Sequence, residues 1–286
     1  MSFSNIVKEI SRFSKKGGIL LTFVSKCYEP IFDLWLKYIT QFGTSGLCVI
    51  ALDEEIYTIL QDKEIPSVLM NVGKNITHET KGSLWLQRVR LFRGLVDHDI
   101  NIIHSDADAF WFKDMRKVLE DYDSDLVFSM AFGMPKSIVN EWGFVLCCGF
   151  FKINSNEKTK AFMRDFEKIC GELLDDQVAI NTLLKNQDVS WQRKNSKYYQ
   201  GYCDKYNLSI DMLPENIVSR HPADELGVYH PYLYSQFVNF KYKQALDGLY
   251  RCSSYSAFSL RDCACLHLKK HKIKCTAKLL YKKVTS

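Results

Sequence analysis

The first half of the chain alternates short, continuous apolar runs with longer segments in which apolar residues recur at helical spacing. Continuous runs of this kind are typical of strands buried on both faces, and they predict strands at 19–24, 47–52, 67–72, 101–104 and 125–131. The segments with helical spacing predict helices at 30–42, 54–61, 84–96 and 116–122. Alternating strands and helices indicate the α/β class, with a mostly parallel central sheet and helices on both faces.

The second half has longer elements and more loop. The run GFVLCCGFFKI predicts a strand at 143–153, and a glycine within it indicates a place where another group approaches closely. Further predictions are helices at 156–174 and from Asp175 onward, loops and short strands over 185–229, and a loop and helix over 230–250. We therefore predict one domain over 1–250, followed by a basic, cysteine-containing segment over 251–286.

Composition and charge limit the classes of protein to which the chain can belong. The chain has 286 residues, of which 47% are hydrophobic and 13% aromatic, as in a packed globular protein. Residues 261–286 carry eight Lys or Arg and one Asp, so the rest of the chain is close to neutral. No apolar run approaches the roughly 18 residues that span a bilayer, and the N-terminus does not resemble a signal peptide. We expect a soluble, cytoplasmic protein whose ten cysteines are reduced.

Two aspartates directly follow the predicted strand at 101–104. Asp106 and Asp108 are separated by one residue and precede the aromatic run Phe110-Trp111-Phe112. In an open α/β sheet, ligands bind just beyond the carboxyl ends of the strands. Neighbouring carboxylates repel each other in a half-buried site, and a divalent cation with oxygen ligands relieves that repulsion. The pattern therefore predicts a metal site that could in turn bind a diphosphate.

Three stretches occur in a characteristic order, namely LWLQRVRLFRGL…INIIHSDADAFWFKD, CCGFFKI…DDQVAIN and VYHPYLY…KYKQAL. Together they resemble the nucleotide-diphospho-sugar transferases of the GT-A fold, especially the plant extensin and pectin xylosyl-, arabinosyl- and galactosyltransferases. The resemblance covers roughly 19–250 and implies a nucleotide-sugar-binding half at 17–115 and an acceptor half at 116–250. It implies sugar transfer from a nucleotide diphosphate, most simply UDP-xylose, UDP-galactose or UDP-glucose, to a glycan hydroxyl. Cys147 and Cys148 depart from the pattern, since many relatives have Asn-Ser or Asn-Ala there.

The resemblance also implies roles for individual residues. Asp106, Asp108 and His230 would bind Mn²⁺ or Mg²⁺. The donor would meet residues of both halves, namely Thr22, Ser25, Asp53, Arg88, Asp106, Ala107, Asp108 and Lys243. Catalysis would involve Asp175, Asp176 and Gln177, with Asp176 as the base of an inverting reaction or as the stabiliser of positive charge in a retaining one. Trp111, Cys148 and Gly149 would face the acceptor or the transferred sugar.

Other functions remain open from the residues alone. A small zinc site could be built from the ligand types near the C-terminus, Cys252, Cys263, Cys265, His267, His271 and Cys275. The basic run there could touch an anionic membrane surface. Phosphoesterases and nucleotidyltransferases also use metal-bound acidic pairs. A nucleic-acid-binding protein would leave Asp106 and Asp108 unexplained, so we expect no nucleic acid partner. An enzyme with no membrane anchor would suit a bacterium or a large DNA virus.

Overall fold

A computed structural model describes residues 3–15, 18–72, 81–194, 198–221, 226–231, 243–245 and 249. Within them, helices α1 to α8 span Phe3–Ser11, Glu29–Thr40, Glu54–Asp62, Lys81–Asp97, Met115–Glu120, Lys136–Trp142, Glu157–Leu173 and Asp176–Asn186. Two short 3₁₀ helices lie at Lys26–Tyr28 and Asp204–Tyr206. The basic segment 251–286, with its candidate zinc ligands and membrane-binding run, lies outside the described residues.

The strands of the described residues form two sheets. In chain order, β1 to β12 are Ile19–Val24, Leu47–Ala51, Ser67–Leu69, Ile102–Ser105, Phe110–Trp111, Leu126–Ala131, Val145–Ile153, Ser190–Arg193, Tyr199–Cys203, Leu208–Leu213, Val218–Ser219 and Val228–Tyr229. Nine of them form the main sheet, in the order β3-β2-β1-β4-β7-β6-β10-β9-β8. The other three form a small sheet, in the order β11-β12-β5.

The direction of each strand decides where the loops gather. Strands β3, β2, β1 and β4 pair in parallel, as the alternation of strands and helices predicted. Strand β7 runs antiparallel to both of its neighbours, β4 and β6. The α/β class is therefore confirmed, while the sheet as a whole is mixed. Since β4 and β6 both oppose β7, they run the same way and end at the same edge of the sheet.

Helices cover both faces of the main sheet. Alternate residues of β1 divide between the two faces, because side chains along a strand point to opposite sides. Ile19 and Leu21 pack into a core with α1, α4, α7 and α8, whereas Leu20 and Val24 pack into a second core with α2, α3 and α5. Two buried cores of this kind explain why the strands read as continuous apolar runs.

The main departure from the sequence prediction lies before β7. Residues 136–142 form the helix α6, which the sequence pattern did not indicate. Gly143 ends this helix in a left-handed conformation (φ +84°), and its N–H donates to the carbonyl of Val139. A residue that caps a helix cannot also extend a strand, so β7 begins at Val145 rather than at Gly143.

Local capping places the other helices close to where they were predicted. The Asp53 carboxylate accepts the Ile56 N–H at the start of α3, and the Asn156 side chain caps α7 in a reciprocal arrangement with Thr159.

Across the part of the chain that the structure describes, no helix is both long enough and apolar enough to cross a bilayer.

Candidate active site

Strand β4 delivers two aspartates to the edge of the main sheet. Directly after Ser105 the chain turns, and the N–H of Asp106 donates to the carbonyl of Gly149 in β7 at 2.7 Å. The N–H of Ala109 then donates to the carbonyl of Asp106 at 3.0 Å, which closes the turn. As a result the Asp106 side chain is about one-third exposed (36%), whereas Asp108 is buried.

Gly149 lies in an irregular part of β7. Phe128 of β6 pairs with Phe151, yet the next residue, Ser129, pairs with Cys147, so three residues of β7 bulge out of register. A Cβ on Gly149 would collide with Cε1 of His230 and would lie 2.7 Å from Oδ2 of Asp106. Glycine is therefore required here because two side chains of the site occupy the space. The close approach that the sequence predicted in this strand is confirmed.

The small sheet brings His230 to the two aspartates. Strand β12 pairs antiparallel with β5, with Tyr229 opposite Phe110, and this places the next residue, His230, beside the turn after β4. Its N–H donates to the carbonyl of Ser219 at 2.8 Å. Nε2 of His230 lies 3.4 Å from Oδ1 of Asp108 and 3.9 Å from Oδ2 of Asp106.

These three side chains form a donor set that fits a divalent cation. One ligand atom from each of Asp106, Asp108 and His230 lies within 4.8 Å of the other two. Carboxylate oxygens and imidazole nitrogens are ligand types that divalent metal ions use in proteins. Burial alone would lower the pKa of His230, but hydrogen bonding to Asp108 raises it well above its ordinary value. The surroundings of the His230 imidazole therefore favour positive charge at that position.

A buried arginine joins Asp106 to a third aspartate. Arg88 of α4 donates through Nε to Oδ2 of Asp176 at 2.8 Å, and its Nη2 bonds to the same oxygen. Its Nη1 donates to Oδ1 of Asp106 at 3.1 Å. Burial raises the pKa of Asp176, against the opposing charge of Arg88. The guanidinium also packs over the ring of Trp85, at 4.4 Å from its centroid, so it is held on several sides.

His104 belongs to the same network, and sequence reasoning missed it. Its Nε2 lies 3.0 Å from Oδ1 of Asp106 and 3.3 Å from Nη1 of Arg88. The ring is fully buried against Phe92 and Phe151. Burial alone would raise the pKa of Asp106, but hydrogen bonding to His104 and the charge of Arg88 lower it to about 2. A polar residue in an otherwise apolar strand was the available signal.

Tyr28 was also missed. It lies in the 3₁₀ helix after β1, and burial together with the charges of Asp108 and Asp106 raises the pKa of its phenol far above the ordinary value. An aromatic residue in a short loop carried no pattern from which this electrostatic effect could be predicted.

Residues 175–177 open the helix that carries Asp176. The Asp175 carboxylate accepts the N–H of Val178 at 2.8 Å, which caps α8. Asp176 is buried and faces Arg88, while the Gln177 amide donates to the carbonyl of Met134 at 2.8 Å. The structure thus brings Asp176 to the predicted metal ligands and gives Asp175 and Gln177 supporting contacts.

The structure places two of the predicted contact residues in the core. Trp111 was expected to face the acceptor, but it is fully buried and its indole N–H donates to Oγ of Ser105 at 3.1 Å. The indole of Trp35 donates to the same oxygen at 3.2 Å, so the Ser105 hydroxyl accepts hydrogen bonds from two tryptophans at the start of the turn. Thr22 was expected to hold the nucleoside, but it is also fully buried, in the middle of β1.

Three further donor-side residues, Asp53, Ser25 and Ala107, lie at or near the same edge. Asp53 accepts the N–H of Lys26 at 2.7 Å, which ties the end of β2 to the loop after β1. Oγ of Ser25 lies 3.1 Å from Sγ of Cys27 in that loop. Ala107, which stands between the two aspartates in the chain, is buried.

On the acceptor side, Cys148 is buried, and burial raises the pKa of its thiol well above the ordinary value. Lys243 is exposed in the short helical stretch 243–245.

Most of the chain matches a known protein family. Residues 44–248 match the family model described as nucleotide-diphospho-sugar transferase. A curated relative, arabinosyltransferase XEG113 of Arabidopsis thaliana, is 22% identical over 221 residues. That alignment covers 71% of this chain and 33% of the relative, so the chain spans about a third of the relative's length.

Solved structures of similar proteins include two glycosyltransferases. The glycosyltransferase GlyE of Streptococcus pneumoniae is 14% identical, with a TM-score of 0.40, and the match covers 59% of this chain and 44% of that one. Mouse xyloside xylosyltransferase 1 is 11% identical, with a TM-score of 0.35, and the match covers 59% of this chain and 75% of that one.

Proposed function

Because the chain belongs to the nucleotide-diphospho-sugar transferase family, we propose that it is a metal-dependent glycosyltransferase. It would transfer a sugar from a nucleotide diphosphate to a hydroxyl of a glycan. The observation that carries this proposal is the donor set of Asp106, Asp108 and His230 at the carboxyl end of β4, within the matched region. Ligands of open α/β sheets bind at this edge.

The protein's own residues would prepare that site for a cation and a diphosphate. Asp108, in the turn between β4 and β5, and His230, directly after β12, converge with Asp106, while Arg88 and His104 fix the orientation of the Asp106 carboxylate. A divalent cation bound there would neutralise the negative charge that develops on the leaving diphosphate.

Asp176 would act on the reacting sugar rather than on the metal. It is joined to Asp106 through Arg88, whose Nε and Nη2 both donate to one oxygen of its carboxylate while Nη1 donates to Asp106. A buried, fixed carboxylate suits the stabilisation of a positively charged sugar in the transition state. We therefore favour this electrostatic role, as in a retaining reaction, over proton abstraction by Asp176.

The identity of the donor is a narrower proposal. We propose a UDP-sugar whose sugar is xylose, galactose or glucose, and the name of the Arabidopsis relative adds arabinose to the set to be tested. The nucleoside would contact Tyr28, Ser25 and Asp53, which lie in the loop after β1 and at the end of β2. The cytoplasmic location and the domain boundary near residue 250 stay predictions from the sequence.

A thermal-shift panel tests the proposal without knowledge of the acceptor. The purified protein is melted with UDP, GDP, CDP and UDP-sugars, each with Mn²⁺ and with EDTA. A ligand that binds only the folded state raises the Tm by mass action, so UDP should raise it with Mn²⁺ and not with EDTA. The Asp108→Asn variant should lose this shift, and Asp125→Asn, at the opposite edge of the sheet, should keep it. A nucleotide shift that survives both EDTA and Asp108→Asn would contradict the metal-dependent mode of binding.

A further inference from the structure

The loop between β6 and α6 exposes two large apolar side chains. This loop, residues 132–135, follows directly after Ala131, the last residue of β6. Phe132 is 37% exposed and Met134 is 54% exposed. Large exposed side chains scattered singly need no explanation, but here two of them stand two positions apart in one short loop.

The loop lies at the same edge of the sheet as the metal-binding residues. Strands β4 and β6 run the same way, so the ends that carry Asp106 and Phe132 lie on the same side. A contact also joins the loop to the site, since the Gln177 amide donates to the carbonyl of Met134 at 2.8 Å. The residue before it, Asp176, is linked to Asp106 through Arg88.

A small cluster of buried side chains supports the loop. Ala131 packs with Ile138, Val145 and Cys147 in a small buried cluster directly beneath it. The loop therefore presents Phe132 and Met134 from a fixed position, at little further cost in conformational entropy when a ligand binds.

The chemistry of the loop selects a neutral ligand with an apolar face. Its sequence, Phe-Gly-Met-Pro, contains no charged side chain and therefore offers no ion pair to a phosphate or a carboxylate. An aromatic face carries partial negative charge and attracts polarised C–H groups, which line one face of a sugar ring. A thioether adapts its shape to irregular apolar surfaces.

We propose that Phe132 and Met134 form the acceptor subsite, which binds a neutral sugar ring of the acceptor glycan through its C–H face. This inference rests on the proposed transferase function and specifies the class of acceptor. Gln177 connects the subsite to the reacting centre, because it is held to the loop on one side and follows Asp176 on the other.

Saturation-transfer difference NMR tests the subsite directly. The probe is a mixture of the methyl glycosides of xylose, arabinose, galactose and glucose, added to the protein with UDP and Mg²⁺. The wild-type protein should give saturation on the ring protons of at least one glycoside. The Phe132→Ala/Met134→Ala double variant should weaken its binding by about tenfold, and Phe132→Trp should retain it, since a tryptophan supplies the same kind of face.

The matched control is Phe3→Ala, which removes a phenylalanine of similar exposure (40%) from helix α1. It should leave glycoside binding unchanged. The UDP-dependent thermal shift should be the same in all these variants, because the loop is assigned to the acceptor. If the double variant binds the glycosides as the wild type does, or if the wild type binds none of them, the subsite is wrong.

The two proposals can fail separately. A normal UDP shift with no effect of the loop substitutions would overturn the subsite and leave the transferase proposal standing. Glycoside binding that depends on Phe132 without any nucleotide shift would support a sugar subsite and contradict the transferase.

Discussion

Buried aspartates occupy both edges of the main sheet, and their surroundings differ. At one edge, Asp125 precedes β6 and accepts hydrogen bonds from the Ser209 N–H at 2.8 Å, the Ser209 hydroxyl at 2.9 Å and the Asn156 amide at 2.7 Å. Lys158 lies 3.4 Å away. Burial alone would raise the pKa of Asp125, but the hydrogen bonds from Ser209 and Asn156 lower it. This carboxylate therefore ties β6, β10 and α7 together.

At the other edge, carboxylates are gathered together. Asp106, Asp108 and Asp176 lie around one buried guanidinium, that of Arg88, and the imidazole of His230. Three carboxylates here face one guanidinium and one imidazole, so a cation bound at this edge would meet a surplus of acidic groups. The difference between the two edges indicates that one cluster holds the fold together, whereas the other is arranged for a ligand.

The largest expected effect is on enzymatic activity, and it should distinguish the aspartates at the two edges of the sheet. Asp108→Asn should lower UDP release from a UDP-sugar by about a thousandfold or more, because the cation that stabilises the leaving group loses a ligand. In EDTA its Tm should fall below that of the wild type, because the buried imidazole of His230 loses its carboxylate partner. Asp125→Asn should keep most of the activity. Full activity of Asp108→Asn would remove the distinction between the two clusters.

The next effect concerns the arginine that holds the acidic cluster. Arg88→Met should lower the free energy of unfolding by about 3–5 kcal/mol, because Asp176 is left buried without its partner. Urea denaturation measures this. The double variant Arg88→Met/Asp176→Leu should recover most of the loss. If single and double variants are equally unstable, packing of the arginine side chain rather than its charge is responsible.

A smaller effect is expected at the glycine of β7. Gly149→Ala should weaken Mn²⁺ binding by about 10–100-fold, because the added methyl group displaces His230 and Asp106 from their positions. Titration followed by the electron paramagnetic resonance of free Mn²⁺ measures the affinity. Gly133→Ala is the matched control, since open space surrounds the added methyl group there. Equal affinities in the two variants would contradict the steric role of Gly149.

The smallest effect is expected at the structural cluster and depends on pH. Asp125→Asn should lower the free energy of unfolding by about 1–3 kcal/mol at neutral pH, since the charged acceptor is lost. The pKa of Asp125 is lowered in the folded state, so its contribution is present above the unfolded pKa of about 4 and is lost as the pH falls through the folded value. Wild type and variant should converge in acid. A difference that is constant from pH 7 to pH 3 would show that charge is not involved.

Local sequence pattern determined much of the fold. The apolar runs specified β1, β2, β4 and β6 because a strand buried on both faces must be apolar throughout, and the helical spacing of apolar residues indicated α2, α3 and α4. The position of Asp106 and Asp108 followed from the strand before them. These features depend on residues that are neighbours in the chain, so one sequence is enough to predict them.

Only the tertiary structure decided which distant residues complete the site. His230 lies more than a hundred positions after Asp108, and it reaches the aspartates only because β12 pairs with β5. The resemblance to a family suggested His230, yet no local pattern indicated the partners of His104, the bulge at Gly149 or the burial of Trp111. Each of these depends on contacts between segments far apart in the chain, where the geometry is set by how helices and strands pack rather than by the order of the residues.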